Sequence, residues 1–190
     1  LVGSEMCIRD RDNGIVAFFN AKDLTFISQV EVGALPDMLV FTPDSKKVLV
    51  ANEGEPNEGY AVDPEGSVSI INIKDIIKPT VKSANFQAWN TRKQSLLDAG
   101  VRIFGPATEH YAEVASKGLQ TTSVAQDLEP EYIAVSQDGK TAWVSLQENN
   151  AIAVLDLVKD EFVNIFPMGS KDYGLPENAL DGLSLIHISE

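Results

Sequence analysis

The chain has 190 residues and a net charge of −13, with 28 Asp and Glu against 15 Lys and Arg. An acidic chain without a basic run lacks the phosphate-neutralising surface of a nucleic-acid binder and is a better host for cations. One cysteine excludes a disulfide framework, and no stretch approaches the roughly 18 consecutive apolar residues of a transmembrane segment.

The chain begins LVGSEMCIRD and ends, from Leu183, LSLIHISE. Both strings resemble one transposase-end sequencing adapter translated in opposite senses. Residues 1–11 and 183–190 are therefore expected to be adapter-derived, like any cloning scar, in preference to genuine short strands at Met6–Arg9 and Leu185–Ile188. Setting them aside removes Cys7 and His187. The remaining 12–182 is expected to be a partial domain whose gene runs on past Gly182 and starts well before Asp12.

Along that interior the first predicted strand is Gly14–Asn20 and the second Phe26–Gly33. A hairpin follows, Met38–Thr42 and Val48–Ala51 joined through Pro43, Asp44 and Ser45, because β-branched and aromatic runs bounded by Pro, Asp and Gly mark tight turns. Gly66–Asn72 is the next strand. An insertion is expected over about 78–125, with Asn90 and Thr91 capping a short helix through Leu97 that Gly100 stops, and a polar loop over Ala107–Ser123. A second hairpin pairs Tyr132–Ser136 with Ala142–Ser145 around Gln137, Asp138 and Gly139. Strands Asn150–Asp156 and Phe162–Gly169 complete the order.

These elements repeat. Pro36–Glu53 aligns without gaps on Pro130–Gln147, and the spacing that relates Gly14 to Asn150 also relates Phe26 to Phe162 and Gly33 to Gly169. Independent strands have no reason to keep one register. Repeated units of four antiparallel strands predict an all-β chain, an incomplete β-propeller of about two to three blades with a loop and short-helix insertion. A β-sandwich also uses short strands but does not repeat them as four-strand blocks.

Val32–Gly54 followed by Gly66–Ile73 resembles the YVTN class of surface-protein propeller repeats. The segments VANEGEP (Val50–Pro56), DPEGSVSIINI (Asp63–Ile73), GVRIFGP (Gly100–Pro106) and Ala125–Leu157 resemble the choice-of-anchor I family. That family is similar to mesenchyme-specific cell-surface glycoproteins and includes bacterial proteins often labelled alkaline phosphatase. The resemblance implies an exported propeller held at the envelope, hence an extracellular, periplasmic or cell-surface location, and it carries over no catalytic residue.

If the Pro36 and Pro130 strands are innermost, their starts share one rim with the ends of the second strands. Asp37, Asn52, Glu53 and Glu55 then face the same rim as Asp127, Glu129, Glu131, Gln147, Glu148, Asn149 and Asn150. Glu53, Glu55, Asp127, Glu129, Glu131 and Glu148 are the expected metal ligands. An all-oxygen set without Cys or His favours calcium. The competing reading is ordinary acidic turn chemistry. Asp63 and Glu65 are weaker candidates, His110 is expected to be exposed, and Tyr132 and Trp143 are expected in the core. Two functions stay open: a binding, adhesion or scaffold module for a surface, polymer or protein ligand, completed by further blades of the same chain, or a calcium-dependent phosphoesterase. Arg102 alone is a poor phosphate clamp.

Overall fold

The computed structural model describes residues 2–5, 11–57, 60–105 and 122–175. The described residues are nearly all β. Eleven strands, β1 (Val2–Glu5), β2 (Asn13–Phe19), β3 (Phe26–Ala34), β4 (Pro36–Phe41), β5 (Lys47–Asn52), β6 (Ser67–Asn72), β7 (Thr80–Asn85), β8 (Tyr132–Val135), β9 (Thr141–Leu146), β10 (Ala151–Asp156) and β11 (Glu161–Pro167), make three antiparallel sheets. Sheet 1 runs β1-β2-β3, sheet 2 β4-β5-β6-β7, and sheet 3 β8-β9-β10-β11. Val2–Glu5 pairs with β2, and Arg11 donates from Nε to the Glu55 carbonyl at 2.9 Å. Met6–Arg9 and Leu185–Ile188 lie outside the described residues.

The two predicted hairpins share their turn chemistry. Asp44 Oδ1 accepts from Thr42 Oγ1 (2.8 Å) and the Lys46 amide (3.1 Å), and Asp138 Oδ1 accepts from Ser136 Oγ (2.7 Å) and the Lys140 amide (3.1 Å). The third strands also end alike. Asn20, Asn72 and Asp156 each accept from a backbone amide two residues on, the side-chain turn that Asn and Asp favour.

Burial shows how the sheets stack. β9 and β10 alternate buried and open positions, whereas β5 and β6 are buried almost throughout. A strand alternates when one face of its sheet is covered and is buried continuously when both are. Sheet 2 is therefore the middle layer. Its Val48, Val50 and Ile71 pack with Val16, Phe18 and Val32 of sheet 1, while Leu49, Ala51, Val68 and Ile70 pack with Ile133, Val144, Ala153 and Leu155 of sheet 3.

Three expectations are corrected. The insertion does not begin at 78: Thr80–Asn85 is β7, the fourth strand of sheet 2, paired with β6 from Ser67↔Asn85 to Asn72↔Thr80. Its sequence hides it because an edge strand with one buried residue, Ala84, shows no apolar alternation. The helix also starts differently. A 3-10 turn (Gln87–Arg92) leads into α1 (Lys93–Ala99), and Asn90 Oδ1 accepts from the Ala125 amide at 2.9 Å instead of capping. Gly100 does stop the helix, at φ 101°. Finally, Tyr132 and Trp143 are exposed, at 63% and 44%. Phe86, Trp89, Leu96 and Val101 carry the insertion onto the core between sheets 2 and 3, where Phe86 stacks on Phe162 at 4.0 Å. Among the described residues no helix is long and apolar enough to cross a membrane.

Candidate functional site

The site is built from strand ends. β5 ends at Asn52 and places Glu53, whose amide donates to the Leu35 carbonyl at 2.9 Å. Gly54 follows at φ 69°, and a Cβ there would lie 2.8 Å from the Glu65 backbone. Gly66, entering β6, passes so close to the Leu128 carbonyl that no side chain fits, and its amide donates to the Ala125 carbonyl at 2.9 Å. The loop between β5 and β6 is thereby clamped to α2 (Val124–Asp127), a single turn closed by a capping box between Ser123 and Gln126.

Asn149 joins this to sheet 3. Fully buried after β9, it donates from Nδ2 to the carbonyls of Asp127 (2.6 Å) and Arg102 (3.0 Å), and its Oδ1 accepts from the Glu129 amide (3.1 Å). Asp127 faces inward, accepting from the Phe104 amide (2.8 Å) on Oδ2 and the Gly105 amide (2.7 Å) on Oδ1. Both carboxylate oxygens are thus engaged by the backbone of the insertion.

These elements enclose a cavity of about 340 Å³ lined by Glu53, Glu55, Asp127, Glu129 and Glu148 among others. Five of the six predicted ligands therefore meet there. Glu131 stands outside the lining, beside Asp37 and Glu148, whose charges together with burial push its carboxyl up, burial being the larger cause. Asn52 does not reach the rim: it is buried between β3 and β6, donating to Ser69 Oγ at 2.9 Å. Glu65 turns away to accept from Gln87 Nε2 at 2.7 Å. Asp63 does line the cavity, as do Tyr60, Phe104, Thr122 and Gln126, the last four of which the repeat pattern could not mark because Gln126 lies on α2 and the others on loops outside it. His110 lies outside the described residues.

The carboxyls are crowded and partly dry. Burial first, then the charges of Glu55, Asp37, Glu131 and Glu148, push half-buried Glu53 up to about 7. Burial and the charges of Glu53, Asp127, Glu55 and Glu148 push Glu129 up to about 8. Burial and Asp127 raise Asp63 to about 6, against the Thr122 hydroxyl, and its Oδ1 is buried without a hydrogen-bond partner among the described residues. Burial also raises Asp127, opposed by its two amide donors and by Lys93. As the side chains stand, no three Asp, Glu, His or Cys among the described residues converge closely enough to hold a metal ion. The arrangement is an acidic cavity whose carboxyls burial and their mutual charges raise above the ordinary range.

A family model of the choice-of-anchor I domain matches residues 5–184. No curated protein matches the chain. Among solved structures the chain is similar to the hydrazine synthase of Kuenenia stuttgartiensis, at 15% identity and a TM-score of 0.54 over 87% of this chain and 46% of that one. A functionally unknown protein of Desulfotomaculum acetoxidans matches at 12% identity and a TM-score of 0.48, over 82% and 34%. The periplasmic gluconolactonase of Pseudomonas aeruginosa matches at 18% identity and a TM-score of 0.34, over 84% and 51%. The likeness to hydrazine synthase is one of fold, and the chain spans about half the length of that structure or less.

Proposed function

The chain belongs to the choice-of-anchor I family, and we propose that it is part of a cell-surface or secreted β-propeller, a binding module whose acidic cavity is stabilised by calcium. Three stacked antiparallel sheets, two of them four-stranded, in one repeat register support the propeller reading. The family, a domain type associated with attachment to the cell surface, supports the location.

The observation that carries the calcium reading is the convergence of Glu53, Glu129 and Glu148 from two repeats, with Asp63, on one cavity where burial and mutual repulsion raise the carboxyl pKa values of Glu53, Glu129 and Asp63. Carboxylates gathered without a countercharge repel, and a divalent cation removes that cost. Calcium takes about six to eight oxygens at flexible geometry, so it suits side chains that must swing inward to meet it. Asp127, held by two backbone amides, fixes the wall behind them. A calcium-braced mouth gives a partner, polymer or mineral surface a rigid docking face.

Calcium added to metal-free protein should raise its melting temperature by mass action, and Glu129→Gln with Glu148→Gln should remove the rise. Identical melting curves in millimolar calcium and in chelator would reduce the cavity to an acidic pocket without a metal.

A further inference from the structure

We propose that the polar cleft between sheets 1 and 2 is a second binding site, one that takes a neutral saccharide. On the face that sheet 2 turns to sheet 1, strand pairing sets the side chains in rows. Val48 stands beside Ile71 and Val81, Val50 beside Ser69 and Ser83, and Asn52 beside Ser67 and Asn85. That face is apolar at one end and polar at the other. The corresponding rows of sheet 3, on the face it turns to sheet 2, are Val144, Ala153 and Ile165, then Leu146, Ala151 and Pro167. Leu146, Ala151, Ala153 and Ile165 are buried in one core with Val101 and Leu128. The sheet itself therefore does not require polar side chains at these places; sheet 3 closes with aliphatics where sheet 2 carries serines and asparagines.

A cavity of about 380 Å³ opens over the polar rows, lined by Ser67, Ser69, Ser83 and Asn85 of sheet 2 and by Asn13 and Glu31 of sheet 1 among others. Its floor is buried but not satisfied. Asn52, Ser69 and Ser67 are 0%, 1% and 6% exposed. Asn52 Nδ2 donates to Ser69 Oγ (2.9 Å) and Ser67 Oγ (3.1 Å), and the Gly33 amide donates to Ser69 Oγ (3.3 Å). Both hydroxyls accept, and among the described residues neither donates its own proton. Asn52 Oδ1 is likewise buried without a partner among them. Asn52 reaches the cavity wall at Gly33, where a Cβ would lie 2.7 Å from both Asn52 Cγ and Ser67 Oγ. Buried polar groups left unpaired cost free energy. With Asn52 occupying their lone pairs, the serine protons are left for a molecule in the cavity.

The lining selects the chemistry of that molecule. It holds no Lys, Arg or His, so an anion finds no countercharge. Its two carboxylates are each tied to an amide, Glu31 Oε1 accepting from Asn13 Nδ2 at 2.8 Å and Glu65 Oε2 from Gln87 Nε2 at 2.7 Å. Hydroxyls and amides both donate and accept, and carboxylates accept, which matches sugar hydroxyls that do both. Val32 and Val81 give the C–H face of a ring an apolar wall. The volume lies at the small end of the roughly 300–1,000 Å³ of ligand sites, suited to a short saccharide or the end of a polymer. The site rests on the binding-module reading, to which it gives a ligand class, and uses no residue of the acidic cavity.

Titration calorimetry and saturation-transfer NMR of the intact protein with glucose, galactose, mannose, N-acetylglucosamine and cellobiose test it. At least one should bind, equally in millimolar calcium and in chelator, and glucuronate should bind more weakly than the best neutral sugar. Ser67→Ala with Ser69→Ala, the residues sheet 3 carries at those places, should weaken binding by about tenfold, the loss of two hydrogen bonds, while the melting temperature holds or rises. Ser83→Ala on the exposed β7 should weaken it by a smaller factor, and carries the test if the double variant fails to fold. Binding by none of these sugars would overturn the proposal, as would unchanged affinity in the serine variants. Sugar binding that requires calcium would place the ligand at the acidic cavity and also overturn it. Sugar binding that persists while calcium leaves the melting curve unchanged would keep this site and remove only the calcium reading.

Discussion

Glu129 inverts the usual relation between a carboxylate and stability. An acid whose pKa falls on folding stabilises the native state above its unfolded value; Glu129 instead rises from an ordinary 4.5 to about 8. Between those values the folded protein holds a proton that the unfolded chain has released, so stability is fully present below about 4.5 and declines as pH rises toward 8. Glu53, raised to about 7, acts in the same direction. Both side chains are partly open to solvent, which discounts the effect to a few degrees of melting temperature. In chelator, the metal-free protein should melt lower at pH 8 than at pH 5.5, and Glu129→Gln should flatten that slope; a slope unchanged in the variant would show that Glu129 titrates normally. A second residue-scale prediction comes from the hairpins. Ser45 sits at φ 54° where its repeat counterpart, Gly139, sits at φ 68°. A side chain costs about 1 kcal/mol or more in that left-handed region and glycine does not. Ser45→Gly should therefore raise stability by about 0.5–1 kcal/mol and Gly139→Ser lower it by a similar amount, read by chemical denaturation of the intact protein.

Individual elements are tied across the stack by Asp160, in the β10–β11 turn. Its Oδ1 lies 2.9 Å from Lys47 Nζ on β5 and its Oδ2 2.8 Å from Lys82 Nζ on β7. Burial alone would raise this carboxyl, but the bonds to Lys82 and Lys47 outweigh it and hold it low. Asp160→Asn should cost about 1 kcal/mol, since partly exposed ion pairs contribute a few tenths each and two are lost together. Equal stability of the two proteins would show that packing alone sets the angle between sheets 2 and 3. At this scale the strands were legible wherever a sheet face is apolar, because alternation and repeat register then leave a pattern. β7 was not, its only buried side chain being Ala84. Asn90 has the composition of a helix cap, yet its amide oxygen is taken by Ala125, a contact across the insertion that no local rule contains. The site divides the same way. Glu53 and Glu148 come just after the second strand of each hairpin and were placed by it, whereas Tyr60 and Phe104 on loops and Gln126 on α2 reach the cavity from segments outside the aligned repeat. Tyr132 and Trp143 read as core because they are aromatic residues on strands; they are exposed where no described sheet covers them.

The whole molecule has a direction. Sheet 1 meets sheet 2 through Val16 and Phe18 and leaves Ile15 of the same strand 43% exposed on its other side. Sheet 3 meets sheet 2 through Val144 and Leu155 and leaves Trp143 open on its far side. The two open faces are thus opposite halves of one kind of contact, the face that looks back along the chain and the face that looks forward. A self-complementary patch would close a dimer, but a forward face meeting a backward face joins head to tail and closes only if the rotation per sheet brings the ends together. Propellers close with about four to eight blades, so three sheets cannot close on themselves. Their outer strands also keep unpaired backbone edges. Residues 12–182 expressed alone should therefore self-associate without a fixed stoichiometry. Light scattering should show mass rising with concentration instead of levelling at a dimer, and amide spectra should be broad. Adding one further repeat should not cure this, because it would carry the forward face onward; only a closed ring removes both faces. A sharp, monomeric, cooperatively unfolding 12–182 would mean that the open faces are stable in water and that the stack needs no continuation.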